Sequence, residues 1–438
     1  MAVIVFKVAL ALASGLLGAW ALRTRLLEWP ERRFRAAVLA LQLVPALGMF
    51  VVLYLAGHQE PTSDVPAFYL PAARATLAGQ VPFRDFAISY APGFPYVGAT
   101  LASMWNSGKV FALFAMLLNA LALLWWHSAA SASLDRSTAR QCTVLYATSG
   151  HVLVQALLGT NQAWVNAGLA ASAMLMTRDS NLAAGLAQAV TAGTTKILAH
   201  LFWPVQWICA SRRAPWLLGA VLPTVILYGV FVMLGAGPGL LHPLRYEGEL
   251  ISPGNIPYIL DLALAPAGSF ERAIDDALSL AVLAAATLWL YTKARRLAPE
   301  RRPSLLLAGL ALTGLVFMLF SKKSFTGYIL FILYPVLLML VRGLAEPRAR
   351  IAFLLAFNAL LVAEPSLWFY LGGNTFTLRA WLAHRGWGVV AGFEGVDVAL
   401  LASYVYLAWL SVRGVERIVS GATVSSNSNQ PATACSLV

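Results

Sequence analysis

Charge is what this sequence is short of. Asp, Glu, Lys and Arg make up 11% of its 438 residues, against 59% hydrophobic residues. A soluble domain carries about 25% charged residues and hides its apolar side chains in one core, so this composition excludes an ordinary water-soluble fold. Cysteine is scarce too. Cys142, Cys209 and Cys435 form no Cys-x-x-Cys pair, which argues against a redox or zinc centre; the first two read as small packing residues in apolar segments. Cys435-Ser-Leu-Val438 has the spacing of a prenylation box, but a chain that crosses a bilayer many times gains little from one lipid. His58, His151, His200 and His384 are scattered without metal-ligand spacing. No Walker loop, dinucleotide fingerprint or zinc motif occurs, which argues against nucleotide fuel or a nucleotide-sugar substrate. The net charge of +12 comes with no basic stripe interleaved with aromatics, so nucleic acid is not an expected partner.

Apolar windows of the roughly 20 residues that a span needs are what the chain has instead, and the mean hydropathy is +0.72. The expected fold is all-α: a polytopic transmembrane protein of about thirteen spans, at 4–22, 36–56, 109–126, 142–158, 163–177, 182–195, 196–210, 216–236, 273–292, 304–320, 328–341, 351–370 and 396–412. Residues 182–210 are read either as a hairpin that does not fully cross or as longer tilted helices. The first span lacks a basic leader region and a clear cleavage site, so it reads as an anchor. With alternating spans the cations fall on one side: Arg23 to Arg35, Arg136 and Arg140, Arg212 and Arg213, Lys293 to Arg302, Arg342 to Arg350, and Arg413 and Arg417. The positive-inside rule makes that side cytoplasmic, with the N-terminus outside and the C-terminus inside. Residues 1–420 then form a single transmembrane domain with outer loops 57–108, 237–272 and 371–395, joined by a small one at 321–327. The tail 421–438, rich in Ser, Asn and Thr, is expected to be a disordered cytoplasmic segment.

The first outer loop reads PTSDVPAFYLPAARATLAGQVPFRDFAISYAPGFPY from Pro61 to Tyr96. Ser63 or Asp64 can cap a short helix with Pro66 in its first turn and Gly79 ending it. Arg84 and Asp85 can form a local ion pair. Tyr90, Tyr96 and Trp105 fit an interfacial aromatic belt, and Gly93 to Gly108 reads as a segment lying along the interface.

An acidic residue just after an early span is followed here by Phe-Tyr, Ala-Ala, Leu-Ala-Gly, Pro-Phe-Arg-Asp-Phe and Tyr-Ala-Pro-Gly. That order resembles the first outer loop of the GT-C superfamily of membrane glycosyltransferases, in particular the mannosyltransferase-like family 87 and its relatives. Gly159-Thr-Asn-Gln162, then a span, then Leu182 to Lys196 ending in Thr-Thr-Lys, is similar to that family's polar turn and glycine-rich segment ending in lysine. Phe320-Ser-Lys-Lys-Ser-Phe-Thr-Gly-Tyr328, ahead of Leu333-Tyr-Pro335, resembles its late outer loop, with Thr326-Gly327 where relatives often have Pro-Gln.

The resemblance implies a GT-C-like helical core and an inverting transfer of a hexose, such as mannose, from a polyprenyl-phosphate donor. The acceptor would be a lipid or glycan of the cell envelope, met on the outer face of a bacterial inner membrane. The acceptor hydroxyl then needs a carboxylate base. The family's first-loop aspartate takes that role, which falls on Asp64 here; Asp85 is the second candidate. The leaving lipid phosphate needs cations near the outer surface. Lys322 and Lys323 stand there against the positive-inside trend, though both can snorkel. Arg245 can serve, or pair with Glu247 or Glu249. Arg84 and Tyr328 belong to the same substrate-binding set. Lys196, between two apolar segments, can reach the phosphate or snorkel outward. Asn161, Gln162 and Asn255 are candidate partners for sugar hydroxyls. Glu271, Asp275 and Asp276 read as helix-dipole residues at the start of the ninth span, and His200, four residues after Lys196, reads as a core histidine. No cofactor and no metal site are expected. A monophosphate-linked donor does not need a metal, and divalent-metal use is left open.

Other classes make different demands. A transporter or flippase would carry ionisable groups deep in several spans and a repeat relating two halves, and neither is clear in the sequence. A glycan ligase or polymerase with a diphosphate-linked donor would use arginines of a large outer loop, such as Arg379 and Arg385. A non-catalytic membrane partner of an assembly is the remaining alternative.

Overall fold

The computed structural model describes residues 1–243, 252–264, 272–371 and 386–421. It is helical throughout, with no β-strand among the described residues. In chain order the helices are α1 Ala2–Ala21, α2 Glu31–Phe50, α3 Leu70–Leu77, α4 Phe94–Met104, α5 Lys109–Ser133, α6 Arg136–Ala147, α7 Gly150–Leu158, α8 Gln162–Thr177 and α9 Asn181–Thr194. They continue with α10 Trp203–Cys209, α11 Arg213–Phe231, α12 Ile256–Leu264, α13 Arg272–Ala294, α14 Leu306–Phe320, α15 Leu333–Gly343, α16 Pro347–Leu371 and α17 Trp387–Ser420.

Among the described residues, eight stretches are helical, long and apolar enough to cross a membrane: Ala2–Ala21, Glu31–Ala56, Lys109–Ser133, Arg213–Leu241, Asp275–Ala294, Pro299–Phe320, Pro347–Leu371 and Trp387–Ser420. The chain is a helical integral membrane protein on those grounds. The other five expected crossings lie on shorter helices. Residues 142–158 are shared between α6 and α7, which break at Thr148 and Ser149. There the Thr148 hydroxyl donates to the Val144 carbonyl, and Ser14 donates to the Thr148 carbonyl at 2.9 Å. Expected spans 163–177 and 182–195 correspond to α8, of 16 residues, and α9, of 14. Residues 196–210 become a 3₁₀ turn, Ile197–Phe202, followed by the seven-residue α10. Residues 328–341 become a 3₁₀ turn, Thr326–Phe331, followed by the eleven-residue α15.

Exposure sorts centre from rim. The best apolar window of Arg213–Leu241 is 17% buried and that of Pro299–Phe320 is 83% buried. Every residue from Leu306 to Leu319 is buried, so α14 is apolar all round, as a central helix should be. Small residues allow the close packing of α9 on α11. A Cβ at Gly185 would lie 2.1 Å from the Trp216 carbonyl oxygen, and one at Gly219 would lie 2.2 Å from that of Leu182. Dispersion, with no hydrophobic drive in lipid, rewards such contact.

The cations gather at one end. Arg140, fully buried, donates to the carbonyls of Leu27 and Trp29, both at 2.7 Å, and to Glu31 at 2.8 Å. Glu31 also meets His127 at 2.8 Å and Arg35 at 2.7 Å. Arg350 donates to Gln141, Arg417 to the Arg342 carbonyl, and Lys293 lies 3.9 Å from Glu416. These contacts tie the connections before α2, α6, α14 and α16 to the end of α17. The opposite end carries the polar loops described next.

Candidate functional site

Two backbone hydrogen bonds dock the loop 57–108 onto the end of α9. The Ala91 N–H donates to the Thr195 carbonyl at 3.0 Å, and the Gly93 N–H to the Gly193 carbonyl at 2.8 Å. A Cβ at Gly93 would sit 2.7 Å from that Gly193 oxygen, so the approach requires glycine. The docking sets Tyr90 beside Lys196. The Lys196 ammonium lies 5.1 Å from the centre of the Tyr90 ring and 4.8 Å from that of Tyr328, and it donates to the Tyr328 hydroxyl at 3.0 Å. A cation held over aromatic faces is attracted by their negative quadrupole.

On its other side Tyr90 donates to Asp64 Oδ2 at 2.8 Å. Asp64 opens the expected short helix, a π-turn Val65–Tyr69 running into α3, and Gly79 follows with φ +83°. Its side chain does not cap that helix. Ser63 holds the turn instead, accepting from the Val65 N–H at 3.4 Å and donating to the Leu158 carbonyl at 2.6 Å. The half-buried Asp64 carboxylate is thereby turned toward Tyr90. Tyr69, Tyr90 and Phe94 form an aromatic wall, with Tyr69 5.1 Å from Tyr90 and 4.8 Å from Phe94 in edge-on contacts. Burial, and then the neighbouring Asp64, pushes the Tyr69 phenol up. Burial does the same to Tyr90, with Tyr69 and Asp64 adding to it, so Tyr90 stays protonated and acts as the donor to Asp64.

The polar turn after α7 closes the base of this place. Gly159, φ +69°, ends α7 in the left-handed region. The Asn161 N–H then donates to the Tyr69 hydroxyl at 3.2 Å. The Asn161 amide and the Gln162 Oε1 are buried with no hydrogen-bond partner among the described residues. A Cβ at Gly327 would lie 3.3 Å from Gln155 Nε2 and 3.4 Å from Gln162 Nε2, so the late loop rests on both amides.

Asp64, Lys196, Tyr328, Asn161 and Gln162 are thus neighbours through Tyr90, Tyr69 and Gly327. The remaining sequence candidates lie elsewhere. Asp85 is bound by Arg84, at 2.9 and 2.8 Å, and by the Val81 N–H at 2.7 Å. The Arg84 guanidinium holds its carboxyl at about 2, well below the usual range. Asn255 is a turn residue: it accepts from the Tyr258 N–H at 2.9 Å and donates to the Ser252 carbonyl at 2.7 Å. Lys322 is buried and pairs with Asp276 at 2.9 Å, while Lys323 is half-buried on the same loop. Asp276, read from sequence as a helix-dipole residue, is therefore also an ion-pair partner. Arg245, Glu271, His384, Arg379, Arg385 and Cys435 lie outside the described residues.

Sequence reasoning passed over a second group. Glu364 of α16 and Asp397 of α17 are buried within membrane-spanning helices, inside expected spans where neither was singled out. Thr326 donates to Glu364, the Gly254 N–H donates to Asp397 at 3.3 Å, and Tyr258 donates to Glu394 at 3.1 Å. Among the described residues no cation pairs with these three carboxylates. The available signal was their ionisable character inside apolar runs. They do not form a metal site: no group of three or more potential ligands that could hold a metal ion occurs among the described residues.

In comparisons with known proteins, the sequence matches no family model and no curated relative.

Proposed function

We propose that this chain is an inverting glycosyltransferase of the GT-C kind. It moves a hexose, mannose or a close relative, from a polyprenyl-phosphate donor to a lipid or glycan acceptor. The reading places it in a bacterial inner membrane, with the N-terminus and the site outside and the cation-rich end and C-terminus in the cytoplasm. The observation that carries the reading is the convergence of Asp64 and Lys196 on the two sides of Tyr90.

The chemistry needs both charges. The acceptor oxygen attacks the anomeric carbon opposite the phosphate. Its proton passes to Asp64 as the new carbon–oxygen bond forms. The bond from the anomeric carbon to the phosphate oxygen breaks, and polyprenyl phosphate leaves with the electron pair. Lys196, with the Tyr328 hydroxyl beside it, stabilises the charge that grows on that phosphate. Asn161 and Gln162 offer amides to the sugar hydroxyls. Asp64→Asn keeps the shape and the hydrogen bond from Tyr90 but removes the base. Transfer from radiolabelled polyprenyl-phosphate mannose in membranes should fall by about 10²–10⁴-fold, with expression unchanged. Full activity in that variant overturns the assignment.

Glu364 and Asp397, buried inside spans, favour a second reading, a lipid or sugar transporter, because intramembrane carboxylates commonly mark ion or proton pathways. Release of the sugar from its phosphate separates the two: a transporter moves the donor intact.

A further inference from the structure

The elbow between α1 and α2 is built rather than loose. The Thr24 hydroxyl donates to the Ala21 carbonyl at 2.7 Å and accepts from the Leu26 N–H at 3.3 Å, so it closes one span and caps the 3₁₀ turn Arg25–Glu28. Leu26 is buried, and the Trp29 carbonyl is held by Arg140 at 2.7 Å and by Arg136 at 3.1 Å. The other side chains face outward. Trp20, in the last turn of α1, is 62% exposed and Trp29 is 44% exposed. Arg23 and Arg25 stand between these two rings, and Arg32 and Arg33 follow in the first turn of α2, all four exposed. None of the four is in an ion pair among the described residues. Glu31, the carboxylate next to them in sequence, is engaged by Arg140, His127 and Arg35.

The place suits one chemistry. Ala2–Ala21 and Glu31–Ala56 are both long and apolar enough to span, so the elbow joining them lies at the membrane surface. Exposed tryptophan at the end of an apolar span sits at head-group depth. A guanidinium at that depth meets lipid phosphates, whose oxygens its planar fork grips two at a time. A topological signal needs only cations in the connection; it needs neither a pinned backbone nor tryptophans on either side. We infer that the elbow is a binding site for an anionic glycerophospholipid. Its phosphodiester is held by Arg23, Arg25, Arg32 and Arg33, and its glycerol and upper acyl chains lie against Trp20 and Trp29. The inference uses neither the glycosyl-transfer reading nor the assignment of the cytoplasmic face.

The test counts lipids on the full chain by native mass spectrometry, after delipidation in a mild detergent and titration with phosphatidylglycerol or phosphatidylcholine. Wild type takes up phosphatidylglycerol in preference, and its Tm rises with that lipid, as it must when a ligand binds the folded state alone. Arg23→Gln, Arg25→Gln, Arg32→Gln and Arg33→Gln combined weaken phosphatidylglycerol binding at least about tenfold and abolish the rise. The Tm in phosphatidylcholine stays at the wild-type value, because the four guanidinium groups pair with no carboxylate in the fold. Arg32→Gln with Arg33→Gln is the milder variant, should the fourfold one fail to fold, and weakens binding at least about fivefold. Arg295→Gln, Arg296→Gln, Arg301→Gln and Arg348→Gln combined remove the same charge from exposed positions at the same end and leave binding as in wild type. Wild-type affinity in the Arg32, Arg33 pair overturns the site. Equal losses in the two fourfold variants overturn it too, since they mean diffuse attraction. Inorganic phosphate that raises the Tm as far as phosphatidylglycerol does overturns the lipid as occupant.

Discussion

At Arg140 a cation placed by its sequence in an inner connection turns out to be enclosed completely. Its two terminal nitrogens donate to Leu27, Trp29 and Glu31, its Nε is buried without a partner among the described residues, and the guanidinium lies 4.5 Å from the centre of the Phe34 ring. Arg140→Met takes a donor from the Leu27 and Trp29 carbonyls and one of three partners from Glu31, and should cost about 1–3 kcal/mol, read as a lower Tm in detergent. The two aspartates of the loop 57–108, Asp64 and Asp85, should also part company. Asp85 is already committed to Arg84 on an exposed surface, where such pairs contribute little. Asp85→Asn should leave transfer within about twofold of wild type, in contrast to Asp64→Asn, in the same membrane assay. Asp64, Lys196 and Tyr328 were legible as candidates because each is polar or ionisable beside apolar sequence. Tyr90 was legible only as an interfacial aromatic. Its place depends on the Ala91–Thr195 and Gly93–Gly193 bonds, which no local pattern announces. Glu364 and Asp397 were visible as letters, but the Thr326 hydroxyl and the Gly254 N–H that donate to them come from distant segments.

Among the elements, the long spans were legible from apolar length alone, and the short helix before Gly79 from its proline and glycine punctuation. The broken ones were not. Hydropathy integrates over a window, so it reads 142–158 as one span and passes over the turn at Thr148 and Ser149 that splits it into α6 and α7. Packing of α9 on α11 was likewise hidden, since a glycine in an apolar run looks the same whether or not a backbone lies against it. Gly185→Leu drives a side chain into the Trp216 carbonyl. Overpacking of this kind costs about 1–3 kcal/mol or more. The variant should lower Tm and, by shifting the end of α9 where Lys196 follows, reduce transfer as well. Leu186→Ala, on an exposed position of the same helix, is the control that should do neither.

For the whole molecule, sidedness is the claim to test. Ser103 lies exposed on α4 at the end of the polar loops, and Ser137 lies exposed on α6 at the cation-rich end. With Cys435 replaced by Ser, the remaining Cys142 and Cys209 are buried. A membrane-impermeant maleimide added to intact cells, with outer barriers permeabilised, should label Ser103→Cys at once and Ser137→Cys only after lysis. The reverse pattern would turn the proposed orientation over.

Thr326, Gly327 and Tyr328 are consecutive residues of one 3₁₀ turn, and each holds a different neighbour: Glu364, the amides of Gln155 and Gln162, and Lys196. A turn this short behaves as a rocker, unable to tilt at one end without tilting at the other. Whatever loosens Thr326 from Glu364 must therefore re-aim the lysine. By thermodynamic reciprocity, a donor that grips the lysine must also be felt at the carboxylate. Glu364→Gln should accordingly change the donor Kd about two- to tenfold, although Glu364 touches no sugar in the proposed reaction, and a donor Kd equal to wild type would show that the rocker is slack.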